Sequence, residues 1–149
     1  MSPTRTPRLK ARVALERDAQ ILCVLHAKPD QEPFWCLPGG NVDSTESLTD
    51  AACRELHEEV GVTVELDGAL LILDGPTVDA VEVIFRGVIT DGTAEISAAS
   101  GDAYLAEARW FDRTELPTSF RPASLRTLLS GSTPLAELPT IAVGDWFAH

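Results

Sequence analysis

From Gly40 to Val62 the chain reads GNVDSTESLTDAACRELHEEVGV, and this stretch governs how the rest is read. Ser47 followed by Asp50 has the spacing of a capping box and Gly61 supplies a stop, so the pattern predicts one helix from about Leu48 to Val60. With Leu48 set at zero on a helical wheel, Ala52, Leu56 and Val60 fall at about 40°, 80° and 120°, an apolar stripe, while Glu58, Glu55 and Glu59 fall at about 280°, 340° and 20°. Three carboxylates share one sector, and two of them border the face expected to be buried. Crowded, desolvated carboxylates repel one another unless protons or cations compensate, and a hard ion such as Mg²⁺ takes oxygen ligands. An isolated E-x-x-E-E serves equally well as a solvated acidic face with an Arg54 to Glu58 pair at i,i+4. The flanking residues decide between the two readings.

Upstream, Leu9, Ala11, Val13 and Leu15 alternate with Lys10, Arg12 and Ala14, the pattern of a half-buried strand. A turn at Arg17 to Gln20 and an apolar run from Ile21 to Leu25 complete an expected hairpin. A loop from Lys28 to Phe34 leads to Trp35-Cys36-Leu37-Pro38-Gly39-Gly40, where Pro-Gly-Gly is expected to end any regular element. Downstream, Leu70 to Leu73, Val81 to Ile89 and Glu107 to Phe111 read as strands. A second helix is expected near residues 121 to 130, with Pro122 at its start and Leu125, Leu128 and Leu129 on one face. Trp146 and Phe147 are expected to pack the tail back on a single domain spanning residues 1 to 149.

Hydrophobic residues make up 44% and charged residues 23% of the 149, ordinary values for a globular chain and unlike a disordered or fibrous one. No apolar run approaches the roughly 20 residues that cross a bilayer, and Met1 to Arg12 lacks the apolar segment of a secretory signal, so a cytoplasmic protein is expected. The three cysteines, Cys23, Cys36 and Cys53, show no C-x-x-C spacing and read as buried reduced thiols. A net charge of −11 repels a nucleic-acid backbone. On composition alone, a polyanionic substrate has to be brought in by metal ions.

The stretch from Gly40 resembles the signature of the Nudix (MutT-like) family, G-x5-E-x7-R-E-U-x-E-E-x-G-U with U a bulky aliphatic residue. It matches at Gly40, Glu46, Arg54, Glu55, Leu56, Glu58, Glu59, Gly61 and Val62. With each fixed residue type used at about 7%, a chance match is on the order of 10⁻⁷. The resemblance extends to Trp35-x-Leu-Pro-Gly-Gly and to Glu107-Ala108-Arg109-Trp110-Phe111, covering roughly residues 8 to 130. It implies an α/β fold, an α/β/α sandwich around a mixed sheet, and a Mg²⁺-dependent enzyme, with Mn²⁺ as substitute, that cleaves a diphosphate linkage. The implied substrate is a nucleoside diphosphate derivative such as a nucleoside triphosphate, ADP-ribose or a nucleotide sugar. By the same resemblance Glu55 and Glu59 are metal ligands, Glu58 a further ligand or base, and Gly40 or Gly39 a carbonyl donor. Arg54 orients the glutamates and Glu46 is the outlying acid, linked to the metal or supporting the helix. An isomerase acting on isopentenyl diphosphate, with Cys36 as its slim support, and a non-catalytic nucleotide sensor are the alternatives on the same fold.

Among other residues, His26, Lys28 and Arg86 are candidates for substrate phosphates, against an ordinary solvated role. Phe34 and Trp35 are candidates for stacking on a base, with Trp35 more at home in a core. His57 is expected to be exposed and His149 to be irrelevant. Pro76 lies one residue short of a position where ADP-ribose hydrolases of the family carry proline, and otherwise marks a turn. Many relatives carry a glutamate six residues before the late-strand tryptophan, where this chain has Tyr104; a tyrosine with its pKa near 10 is a poor base, and Asp102 is the nearby substitute. The expected partner is a small phosphorylated molecule rather than nucleic acid or membrane, and a homodimer is admitted without being required.

Overall fold

A computed structural model of the chain describes residues 3–76, 79–97, 100–138 and 142–145. Strands β1 (Arg8–Arg17) and β2 (Gln20–His26) form the expected hairpin, turned by Asp18 and Ala19 with φ of 50° and 63°, the doubly left-handed turn that matches strand twist. β3 (Phe34–Cys36) and β4 (Gly39–Asn41) follow, then helix α1 (Leu48–Val60), β5 (Thr63–Gly75), β6 (Ala80–Asp91), β7 (Leu105–Asp112), α2 (Ala123–Leu129) and β8 (Ala142–Asp145). Hydrogen bonding runs β3-β2-β1-β6-β5-β8, with β4 on β1 and β7 on β2. Because β1–β6 and β5–β8 are parallel while the other pairs are antiparallel, the sheet is mixed.

One apolar cluster joins Ala11, Val13 and Leu15 of β1 to Ala51, Ala52, Leu56 and Val60 of α1. A second joins Ala14, Ile21, Trp35 and Ile84 to Phe120, Leu125 and Leu129 at α2. Helices therefore cover opposite faces of the sheet, the α/β/α sandwich that the resemblance implied. α1 has the expected limits: Ser47 Oγ accepts from Asp50 N–H at 3.1 Å, one half of a capping box, and Gly61, at φ 69°, donates to His57 O.

Three local expectations are corrected. Regular structure does stop at Cys36 before Pro38, as expected, but Gly39-Gly40 are not loop: with Gly39 at φ 144° the chain resumes as β4 against β1. β5 begins at Thr63 rather than Leu70, and its register shifts between Leu66 and Leu71, where Asp67-Gly68 resembles a turn in sequence but is accommodated as an irregularity inside the strand. Leu9, placed on the apolar face of β1 by alternation, is 40% exposed, since that face leaves the core at the strand's start. Trp146, Phe147 and His149 lie outside the described residues.

Between β1 and α2 lies a buried ion pair. Arg113 is 1% exposed; its Nη1 donates to Glu16 Oε2 at 2.6 Å and its Nε to Leu129 O at 2.8 Å, while Glu16 Oε1 accepts from Leu135 N–H. Removing one partner of such a pair strands the other charge. Glu16→Leu is expected to cost about 3 kcal/mol of unfolding free energy, read by urea titration as a lower midpoint at unchanged slope. Glu107→Leu, which breaks the exposed pair with Arg109, should cost under about 1 kcal/mol.

Candidate active site

α1 presents its carboxylates at three depths. Glu59 is 6% exposed, Glu55 is half-buried and Glu58 faces outward. Burial pushes the Glu59 carboxyl up to about 7, against the Gly39 N–H, which donates to Oε1 at 3.0 Å, and the Arg12 charge. Burial likewise raises Glu55, with Arg54 opposing it.

Arg54 binds the cluster together. Its Nε and Nη2 donate to both oxygens of Glu46 at 2.8 and 2.7 Å, Nη1 reaches Glu55 and Glu58, each at 3.1 Å, and Nη2 also reaches Asn41 O at 3.0 Å. This fork holds the Glu46 carboxyl at about 2, with help from Asp43 N–H. Glu46 braces Arg54 and does not line the cleft, which favours the helix-supporting side of its two expected roles.

β4 runs directly beneath these side chains. A Cβ on Gly39 would lie 2.2 Å from Ala11 O, so that position excludes a side chain, and one on Gly40 would lie 2.7 Å from the Glu55 carboxyl, which would have to move aside. Gly39, Gly40, Glu55, Glu58 and Glu59 line a cleft of about 810 Å³, a volume suited to a small molecule. Lys28 also lines it, its Nζ 5.1 Å from the centre of the Tyr104 ring. Among the described residues no three acidic, histidine or cysteine side chains already surround one point; Arg54 and the Gly39 N–H hold them. The donor set nevertheless fits a hard cation: Glu55 and Glu59 face the bare backbone of β4 and Glu58 lines the same cleft, the most buried of the three without an ion pair closer than 4 Å among the described residues, and a divalent ion would offset that charge.

Arg86 is a correction. It lies on the face of β6 that carries Glu82, but four residues further along, about 13 Å, and outside the cleft. Its guanidinium is spent on Asp67 O at 2.7 Å, which fastens the irregularity in β5, and on Ala136 O at 3.1 Å. His57 is exposed, as expected. Trp35 is buried edge-on to Phe111 at 4.8 Å, whereas Phe34 lines the cleft with Arg121 4.8 Å from its ring centre. Asp102 lines the cleft, accepts from Tyr104 N–H at 2.9 Å and stands 4.0 Å from His26 Nδ1. Burial lowers His26, against Asp102, which favours its neutral form. Pro76 is not part of the cleft.

Arg8, Lys10, Arg12 and Arg121 also line it, and sequence reading did not assign them to a site. With Lys28 they make five of the chain's twelve Lys and Arg residues. The signal was available in β1, where Arg8, Lys10 and Arg12 alternate with core residues and so share one face. The net charge concealed it, and the inference that metal alone must attract a polyanion is corrected: the cleft carries its own cations.

The NUDIX domain family model matches residues 6–129. A protein of Bacillus subtilis (strain 168), provisionally named an 8-oxo-dGTP diphosphatase, is 32% identical over 116 residues, 78% of this chain and 73% of the relative. The 8-oxo-dGDP phosphatase NUDT18 of Homo sapiens is 32% identical over 110 residues, 73% of this chain, and the chain spans only 33% of that relative's length. A solved NUDIX hydrolase from Nitrosomonas europaea shares the fold with a TM-score of 0.78 at 20% identity, over 96% of this chain and 80% of that one. With the signature helix, the bare-backbone strand beneath it and a family match across most of the sequence, the chain belongs to the Nudix family and is a hydrolase.

Proposed function

We propose that this hydrolase uses Mg²⁺, with Mn²⁺ as substitute, to cleave the diphosphate linkage of a small nucleoside diphosphate derivative. One observation carries the reading: the carboxylates of α1 and five Lys and Arg side chains line one cleft of small-molecule size. Glu55, Glu58 and Glu59, with main-chain oxygen from Gly40, would hold the metal. When bound, the ion neutralises charge on the phosphate oxygens and lowers the pKa of an attacking water. Arg54 keeps Glu55 and Glu58 oriented, Gly39 N–H keeps Glu59 turned into the cleft, and Lys28 meets the phosphates. The related proteins named for 8-oxo-dGTP and 8-oxo-dGDP put oxidised purine nucleotides first among the candidates. An isomerase reading loses its support in Cys36, whose thiol burial pushes up to about 11, too weak an acid for proton transfer near neutral pH. The setting is the cytoplasm, and nothing in the proposal requires a dimer.

The test is a screen of purified protein with Mg²⁺ or Mn²⁺ on nucleoside triphosphates and their 8-oxo forms, ADP-ribose and nucleotide sugars. Release of a nucleoside monophosphate from at least one is expected, and no turnover on any would sink the proposal. On the substrate found, Glu59→Gln should lower kcat by at least about 10²-fold with the fold intact by circular dichroism. Near wild-type turnover would remove α1 as the metal site.

The base is assigned to the helix. Glu58→Gln should cost at least about 10²-fold in kcat, whereas Asp102→Asn should cost less than about tenfold, because Asp102 spends one oxygen on Tyr104 N–H and stands beside His26. Steady-state kinetics of both variants on one substrate decide the matter, and the reverse order would move the base to the loop.

A further inference from the structure

Beyond Arg12 the cations of β1 continue toward the start of the strand. Arg12 marks the near end: its side chain packs on Gly39, whose N–H holds Glu59, and its own charge is engaged by Glu82 at 2.6 Å and Leu37 O at 2.9 Å. Lys10 and Arg8 follow on the same face at about 7 and 13 Å along the strand. Both line the cleft, and among the described residues neither has a carboxylate within ion-pair distance. Lys10 is half-buried; burial, and after it the neighbouring Arg12, lower its pKa against the pull of Glu82. Elsewhere in this acidic chain Arg5, Arg54, Arg109 and Arg113 are ion-paired and Arg86 is held by carbonyls. The carboxylate opposite Lys10, Glu82, is held by Arg12, so half-buried Lys10 and exposed Arg8 at the edge of the cleft have no carboxylate in direct contact among the described residues and are better satisfied when an anion joins them.

We infer that Arg8 and Lys10 form a second anion subsite, which takes a phosphate or carboxylate carried by the substrate at the end remote from the bond that is cleaved. The inference rests on the proposed hydrolase reading for what lies at the α1 end. It adds that the preferred substrate is doubly anionic, with one charged group at the carboxylate helix and another at the start of β1. Lys28 and Arg121, beside Tyr104 and Phe34, line the same cleft.

The test uses ligands without a diphosphate, so that neither metal nor turnover enters the readout. Calorimetry in EDTA compares adenosine and guanosine 3′,5′- and 2′,5′-bisphosphates with their 5′-monophosphates, and orotidine 5′-monophosphate with uridine 5′-monophosphate. The first comparison reads an added phosphate and the second an added carboxylate. At least one doubly anionic ligand should bind about tenfold or more tightly than its partner, the effect of a charge-assisted hydrogen bond. Lys10→Gln and Arg8→Gln should each bring that ratio to within about threefold of unity, while Arg17→Gln, a cation over Trp110 outside the cleft, should leave it alone. No discrimination by the wild type, discrimination that survives both substitutions, or its equal loss in Arg17→Gln overturns the inference. Should the turnover screen fail while discrimination is found, the proposed cleavage of nucleoside diphosphate derivatives falls and the subsite stands.

Discussion

The close approach of β4 to both of its neighbours is the constraint on which the rest depends. Gly39 lies where any Cβ would enter the main chain of β1, and Gly40 lies where one would enter the Glu55 carboxyl. Bare backbone at both positions lets a short strand fit between β1 and α1, and pairing with Ala11 and Arg12 fixes it there. Carboxylates from one element and cations from another then open into the same cleft. A side chain at Gly39 would push β4 off β1, and one at Gly40 would displace the Glu55 carboxylate from its place in the cleft.

Charge is arranged around that contact by geometry rather than by quantity. Arg54 spends both sides of its planar fork, clamping Glu46 from one edge and reaching Glu55 and Glu58 with the remaining nitrogen. A lysine has a single rotatable ammonium and could not hold three carboxylates in fixed directions. Glu59 lies beyond this fork, and among the described residues its burial is offset chiefly by a main-chain N–H and by Arg12 in the background. The deepest carboxylate is thus the least neutralised by protein groups, the condition in which a hard cation gains most from binding.

What the sequence made legible was local. α1 could be delimited to the residue because its cap, stripe and stop are written within fifteen positions, and the signature placed Glu55, Glu58 and Glu59 on the cleft wall without any knowledge of the sheet. Nothing in the sequence could place Arg86, since strand parity specifies a face but not a position along it: Glu82 and Arg86 share a face, yet one reaches the cleft and the other the bulge in β5. The early start of β5 was hidden by Asp67-Gly68, which has turn chemistry that a long antiparallel pairing with β6 overrides. β3 and β4 were missed because three-residue strands carry no periodicity, and only their partners define them.

The cationic wall was hidden for a different reason, and β1 explains it. Alternation makes one strand serve two purposes: Ala11, Val13 and Leu15 pack on α1 while Arg8, Lys10 and Arg12 look the other way. A polar face on a half-buried strand normally means solvent, and the sequence cannot distinguish solvent from a cleft. What makes the distinction is long-range: β6 lies parallel to β1 with Glu82 opposite Lys10, and α1 arrives across β4 to close the near end. Net charge gives no warning either, because a chain at −11 can gather five of its twelve cations in one place. The field inside a low-dielectric cleft is set by the few charges that line it, so an acidic protein can present a locally cationic surface to its ligand.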